Sequence, residues 1–169
     1  MDAQPIRPKP IRVFLCGDVM TGRGVDQILP HAGNPLLHES YVESALDYVR
    51  LAEDANGPIA RPQQLSYPWG VALDEFNRAR PDVRIVNLET SITRSNAYDP
   101  KGINYRMTPE NAGCLAAAGI DCCALANNHV LDWARADCSI RLRVSIGCGS
   151  SMRALAAMTS RRPHPRSWI

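Results

Sequence analysis

An α/β fold with a mostly parallel sheet is what the sequence predicts, on three observations. Three short apolar runs read as strands, amphipathic helical patterns separate them, and each run ends in a cluster of polar residues. Strand and helix in alternation favour parallel strands joined by helical crossovers. In such sheets ligands gather beyond the carboxyl ends of the strands, where side chains and helix N-termini converge.

Taken in order, residues 1–10 are polar and proline-rich and are expected to be disordered. I-R-V-F-L-C (11–16) is the first strand and leads into G-D-V-M-T-G-R-G. Y-V-E-S-A-L-D-Y-V-R-L-A (41–52) sets Val42, Ala45, Leu46 and Val49 on one helical face. G-P-I-A-R-P-Q-Q-L-S-Y-P (57–68) carries the Pro and Gly of an exposed loop. P-W-G-V-A-L-D-E-F-N-R-A (68–79) follows as a helix with Pro68 near its first position. V-R-I-V (83–86) is a second strand, running into N-L-E-T. T-P-E-N-A-G-C-L-A-A-A-G-I has Thr108 placed as an N-cap, Pro109 at the first helical position and Gly119 just past the end. D-C-C-A-L-A (121–126) is the third strand and leads into N-N-H-V-L-D.

The chain of 169 residues, 45% apolar and 21% charged, has the length and composition of one soluble globular core. Its net charge of +2 divides unevenly: residues 136–169 hold six Arg against Asp137, leaving the preceding body mildly acidic. No recognition helix or aromatic ladder accompanies those arginines, so nucleic acid is not an expected partner. No signal-peptide core and no apolar run of membrane-spanning length is present in the sequence as written, which places the encoded chain in the cytoplasm. The six cysteines form no C-x-x-C pair and no zinc spacing, and Cys16, Cys122 and Cys123 are expected to be small buried thiols.

Asp18 follows the first strand, Asn87 and Glu89 the second, and Asn128 and His129 the third, with Asp132 one turn on. Carboxylate, amide oxygen and imidazole converging from separate strands suit a divalent ion of the Mn, Mg, Fe or Zn type. Such an ion would polarise a phosphoryl or acyl oxygen, or supply hydroxide near neutral pH. Taken singly, Asp18 reads as a helix cap, Asn87 and Asn128 as turn residues and His129 as a structural histidine. Their coincidence at three equivalent strand ends favours a shared site. Gly17, Gly22 and Gly24 would let backbone approach a phosphate, but G-x-G-x-x-G is absent, which leaves a nucleotide-binding domain as the weakest reading. His31, His38 and His164 have no partner pattern and are expected to be solvated.

G-D-V-M, V-N-L-E-T-S-I-T, K-G-I-N-Y-R-M-T-P-E-N and A-L-A-N-N-H-V-L-D, in that order over about 11–135, resemble the capsule-synthesis protein CapA family. The family is named for poly-γ-glutamate biosynthesis and shares the calcineurin-like metallophosphoesterase fold. The resemblance implies a four-layer α/β/β/α sandwich with a metal site at the strand ends. By position Asp18 resembles the first metallophosphoesterase aspartate, Glu89 the carboxylate of the second motif with Asn87 beside it, and Asn128–His129 the pair supplying an amide ligand and a proton donor. His129 and Asp132 are then the expected catalytic pair. Lys101, Tyr105 and Arg106 match the central segment and are expected to hold an anionic or polymer-precursor substrate. Where the superfamily has Asp-x-His, the third place here is Met20, a poor ligand for a hard metal, which argues against a two-metal centre. The superfamily's later histidine ligands belong to a second half of the domain, so 11–135 is expected to be an incomplete domain. The resemblance implies a capsule or poly-γ-glutamate biosynthesis protein working with the capsule-synthesis machinery, and a metal-dependent phosphoesterase-like hydrolase if the full domain is active. The alternative is a non-catalytic assembly or binding protein on the same fold.

After residue 135 the pattern breaks. D-C-S-I-R-L-R stands where the family has a helix such as G-L-L-D-T-L. Ala-Asp-Cys-Ser-Ile-Arg-Leu-Arg can be encoded so that the frame starting at the third base reads Gly-Leu-Leu-Asp-Thr-Leu-Ala, and the first of those leucines is forced by any Asp and Cys codons. Residues 136–169 are therefore expected to be frameshifted sequence, with a native disordered basic tail as the alternative. Chance helix is expected at most around Met152 to Met158.

Overall fold

The computed structural model describes residues 9–133 and 153–155. The elements are β1 (Val13–Val19), α1 (Gly24–Ile28), α2 (Ala45–Asn56), a 3-10 turn at Tyr67–Trp69, α3 (Ala72–Ala79), β2 (Val83–Leu88), β3 (Ser91–Ile92), β4 (Arg106–Met107), a 3-10 turn at Pro109–Ala112, α4 (Gly113–Ala117), β5 (Cys122–Ala124) and β6 (Arg153–Leu155). Each of the three apolar runs thus forms a strand, and the helical patterns fall between them.

Local chemistry sets the boundaries. Ser44 caps α2, its Oγ accepting from the Leu46 N–H at 3.2 Å, so the helix begins after Val42 rather than at it. Ala45 and Val49 are its buried residues. The pattern at 68–79 splits at Gly70 into the 3-10 turn and α3, which buries Phe76. Phe76 meets Phe14 of β1 edge to face at 4.7 Å. Past α4, Gly119 at φ 62 donates to Ala116 O, and Ile120 N–H reaches back to Leu115 O. These paired bonds form a Schellman ending, and the positive φ is what requires glycine there.

The four-stranded sheet runs β1-β2-β5-β6 with every pairing parallel, and β3 and β4 pair parallel as a separate ribbon. This is an α/β fold, and it puts the carboxyl ends of β1, β2 and β5 along one edge. The register matters at that edge. Cys16 pairs with Val86 and Val19 with Leu88, so Gly17 and Asp18 together oppose Asn87. This is a β-bulge, which re-aims a side chain by inserting one residue. Regular alternation would send Asp18 to the same face as Phe14. With Asp18 at φ 47 it meets Asn87 instead, and Asp tolerates that left-handed conformation better than most residues.

The core lies on one side of the sheet. Val86, Leu88, Cys123 and Leu125 pack there with Phe76, Leu115, Ile120, Met107 and Leu29. On the opposite face Val13 and Leu15 are 48% and 70% exposed. Cys16, expected to be buried, is exposed as well, because β1 is the edge strand and only Phe14 and Val19 along it are partly covered. Cys123 is buried and Cys122 half-buried. Thr108 precedes its helical turn as expected, but its hydroxyl does not cap: it donates to the buried Asp26 carboxylate at 2.8 Å. Arg153–Leu155, inside the segment where a chance helix was expected, pairs with β5 as a strand. The rest of the 136–169 tail and residues 1–8 lie outside the described residues. No helix among the described residues is long and apolar enough to cross a membrane.

Candidate functional site

At the carboxyl edge of the sheet the bulge brings Asp18 to the Asn87 amide, whose Nδ2 donates to Asp18 Oδ1 at 2.9 Å. Glu89 follows β2, its N–H donating to Val19 O, and its carboxyl lies beside that of Asp18, each shifting the other's protonation. The pair divides its protons unequally. The Asn87 amide and the neighbouring Glu89 carboxyl hold Asp18 below the usual carboxylate range. The neighbouring Asp18 carboxyl, partial burial and the Asp18 charge push Glu89 above it.

His129 enters from the loop after β5 and is 8% exposed. Its ring is fixed on both edges. Nδ1 lies 2.7 Å from Asp132 Oδ2, and Nε2 lies 3.6 Å from Glu89 Oε1. Asp132 is buried, its Oδ2 also accepts the Tyr105 N–H at 2.6 Å, and Lys101 Nζ sits 2.5 Å from Oδ1. With a backbone N–H and an ammonium also beside Asp132, Nδ1 is the nitrogen that donates to it, which leaves Nε2 facing Glu89. The Tyr105 ring stacks on the imidazole at 4.1 Å. The loop's backbone is set by Asn127: Oδ1 accepts the His129 N–H at 3.0 Å, while Nδ2 donates to Asn87 Oδ1 and to Leu88 O, both at 2.9 Å. Ser91 Oγ donates to His129 O at 2.9 Å from the β3 side.

The structure therefore brings together Asp18, Asn87, Glu89, His129, Asp132, Tyr105 and Lys101. Asn128 is exposed and joins them through its carbonyl, which accepts Lys101 Nζ, while its neighbour Asn127 makes the side-chain bonds. Arg106 is directed elsewhere. Its guanidinium donates to Ser95 O, Asn96 Oδ1 and Asn34 O and lies 3.9 Å from the centre of the Trp133 ring. Burial holds its pKa below the ordinary arginine value. Gly22 and Gly24 serve packing: an added Cβ would stand 2.6 Å from Arg106 O in the first case and 3.0 Å from Tyr48 Cβ in the second.

Asn127 and Ser91 were not singled out from sequence. Asn127 carried a signal, since it sits two residues before His129 in the position of an Asx turn. Ser91 carried none, because its partner is a backbone carbonyl from another element.

Two neighbouring carboxyls and an imidazole held by a buried carboxylate are oxygen and nitrogen donors of the types that a hard or borderline divalent ion takes. The set is not closed: among the described residues no group of three or more His, Cys, Asp or Glu is already arranged to hold a metal. Asn87 Oδ1 accepts from Asn127 and is engaged within the protein.

Residues 12–138 match the family described as "Bacterial capsule synthesis protein PGA_cap". Two proteins of Mycobacterium tuberculosis, from strains CDC 1551 / Oshkosh and ATCC 25618 / H37Rv, are each 50% identical over 127 residues. Each bears the name "Probable polyglutamine synthesis accessory protein". The aligned region is 75% of this chain and 33% of each relative, so the chain spans about a third of the length of these relatives. No solved structure matches.

Proposed function

The chain belongs to the bacterial capsule synthesis protein PGA_cap family, and from that premise we propose that it forms the divalent-metal edge of a capsule-polymer synthesis domain of metallophosphoesterase type. One observation carries the proposal: His129, oriented by buried Asp132, faces Glu89, and Glu89 lies beside Asp18 where three parallel strands end. Asp18, Glu89 and His129 Nε2 would hold the ion. When bound, it would supply Lewis acidity to a phosphoryl or acyl oxygen.

The chain's own residues have separable parts in this reading. Asn87 fixes the Asp18 carboxylate, and Asn127 fixes Asn87 and the His129 backbone. Asp132 is a positioning residue, holding the proton on Nδ1 so that Nε2 stays an acceptor. Lys101 braces Asp132 and the Asn128 carbonyl, which puts its charge at the rim, where an anionic polymer precursor would approach. The four-layer sandwich belongs to this proposal, as does a role beside the capsule-synthesis machinery, which the relatives' accessory-protein name supports.

A second reading, a non-catalytic binding or assembly protein, is favoured by Met20 at the position of a ligand and by the open donor set. Chromogenic phosphomono- and diesters assayed with Mn, Mg, Fe and Zn ions separate the two. Metal binding with turnover that is lost in His129→Ala supports the hydrolytic reading. Metal binding without turnover supports the accessory one, and absence of both overturns the proposal.

A further inference from the structure

The His129 imidazole meets a carboxyl at each edge, Asp132 at Nδ1 and Glu89 near Nε2. Contacts in the ring plane aim the two nitrogens but let the ring tilt about the line through them. A contact on a ring face restrains that tilt, and Tyr105 supplies one, 4.1 Å away and 29° from parallel. The Tyr105 N–H is tied to Asp132 Oδ2, which anchors its backbone and leaves its ring to be set by side-chain neighbours.

Arg23 is such a neighbour. Its guanidinium lies over the Tyr105 ring, 4.6 Å from the centre, and 4.9 Å from the centre of the Tyr48 ring. Glu39, whose side chain is 1% exposed, pairs with the guanidinium and accepts from Tyr48 Oη at 2.8 Å. Glu39 takes up the charge, so Arg23 bears on the polar edge through Tyr105 and not as an anion site. Stability alone does not account for this assembly, because apolar side chains commonly replace a buried ion pair without loss. Nor does it account for the Arg23 backbone, at φ 51 and ψ −126, a region open to glycine and costly for arginine. Strain of that kind persists where the surroundings over-determine it, and it collects at functional sites.

We propose that Arg23, braced by Glu39, is a positioning residue that holds the Tyr105 ring against His129 and so sets the tilt of the imidazole. A cation attracted to the ring face keeps the tyrosine from turning away, and the buried carboxylate keeps the cation in place. The effect on metal affinity rests on His129 being a ligand, as proposed above; the effect on the ring does not.

Proton NMR of the metal-free 169-residue chain, beside manganese calorimetry, tests it. Stacking on Tyr105 shifts the His129 ring protons upfield of free imidazole, with His129→Gln assigning them. Arg23→Met should move them back toward free values and weaken manganese binding about tenfold, as when a group orienting a ligand histidine is lost. That variant strands Glu39, so Arg23→Met with Glu39→Gln removes both charges and gives the same reading should the single change not fold. Arg84→Met removes a cation from the Phe76 ring instead, 5.0 Å from its centre, and should move neither. Downfield movement confined to the Arg23 variants supports the assignment, and if the parent then binds no manganese it is the metal reading alone that falls. Ring protons unmoved in a folded Arg23 variant, or moved equally by Arg84→Met, would overturn it.

Discussion

Replacing Asp132 by Ala tests the arrangement that orients His129. The carboxylate is buried, and its Oδ2 serves two donors, His129 Nδ1 at 2.7 Å and the Tyr105 N–H at 2.6 Å. Truncation strands both, and each buried unsatisfied donor costs about 1–3 kcal/mol. Lys101 loses its partner too, but its side chain is 30% exposed and can rehydrate, so it adds little. The expected destabilisation is about 3 kcal/mol. Asp132→Asn keeps the volume and one acceptor oxygen, and should cost about half as much. Urea unfolding followed by tryptophan fluorescence gives both values if the slope is unchanged. Nitrogen-15 shifts of His129 should show Nδ1–H alone in the parent and a mixture of tautomers in Asp132→Ala. A loss below about 0.5 kcal/mol with the tautomer retained would refute this assignment of Asp132.

Three further outcomes follow from the same geometry. Burial pushes the Cys114 thiol from 9.0 to about 11 and that of Cys123 to about 12. Unfolded thiols ionise first, so stability should hold below pH 9 and fall as pH rises through 11 and 12; a urea midpoint no lower at pH 10.5 than at pH 8 would contradict this. Leu15→Lys on the exposed edge strand should change stability by less than about 0.5 kcal/mol and raise the concentration at which the chain stays monomeric in gel filtration. A loss above about 1 kcal/mol would mean that Leu15 is covered. In the coding DNA, the frame that starts at the third base of codon 136 should spell Gly-Leu-Leu-Asp-Thr-Leu; a shifted frame without that helical pattern would favour a native tail.

The strands and the edge they share were legible because apolar runs and their polar ends are local signals. V-R-I-V-N-L-E-T showed both the strand and the polar residues beyond it in eight consecutive letters. What Asp18 faces was not legible. A bulge is a mismatch between two strands 69 residues apart in sequence, and neither strand alone records it. The same limit hid Arg23 and Glu39, an ion pair closed by a loop, and it hid the partner of Thr108, which stands at the N-cap position but whose hydroxyl finds Asp26 across 82 residues. Arg106 read as a substrate residue because it adjoins Tyr105 in the motif. Adjacent residues on a strand point to opposite faces, and only one of the two reaches His129.

Calorimetric titration of the metal-free chain with Mn or Zn ions, beside Asp18→Asn and Glu89→Gln, tests whether the strand edge holds a metal. One bound ion per chain is expected, with affinity reduced roughly tenfold or more in each variant, as when a ligand loses its charge. Binding should also weaken as pH falls toward the raised Glu89 value, since a proton there competes with the ion. No binding by the parent chain, or equal binding by the parent and both variants, would contradict the assignment of Asp18, Glu89 and His129 as a metal edge.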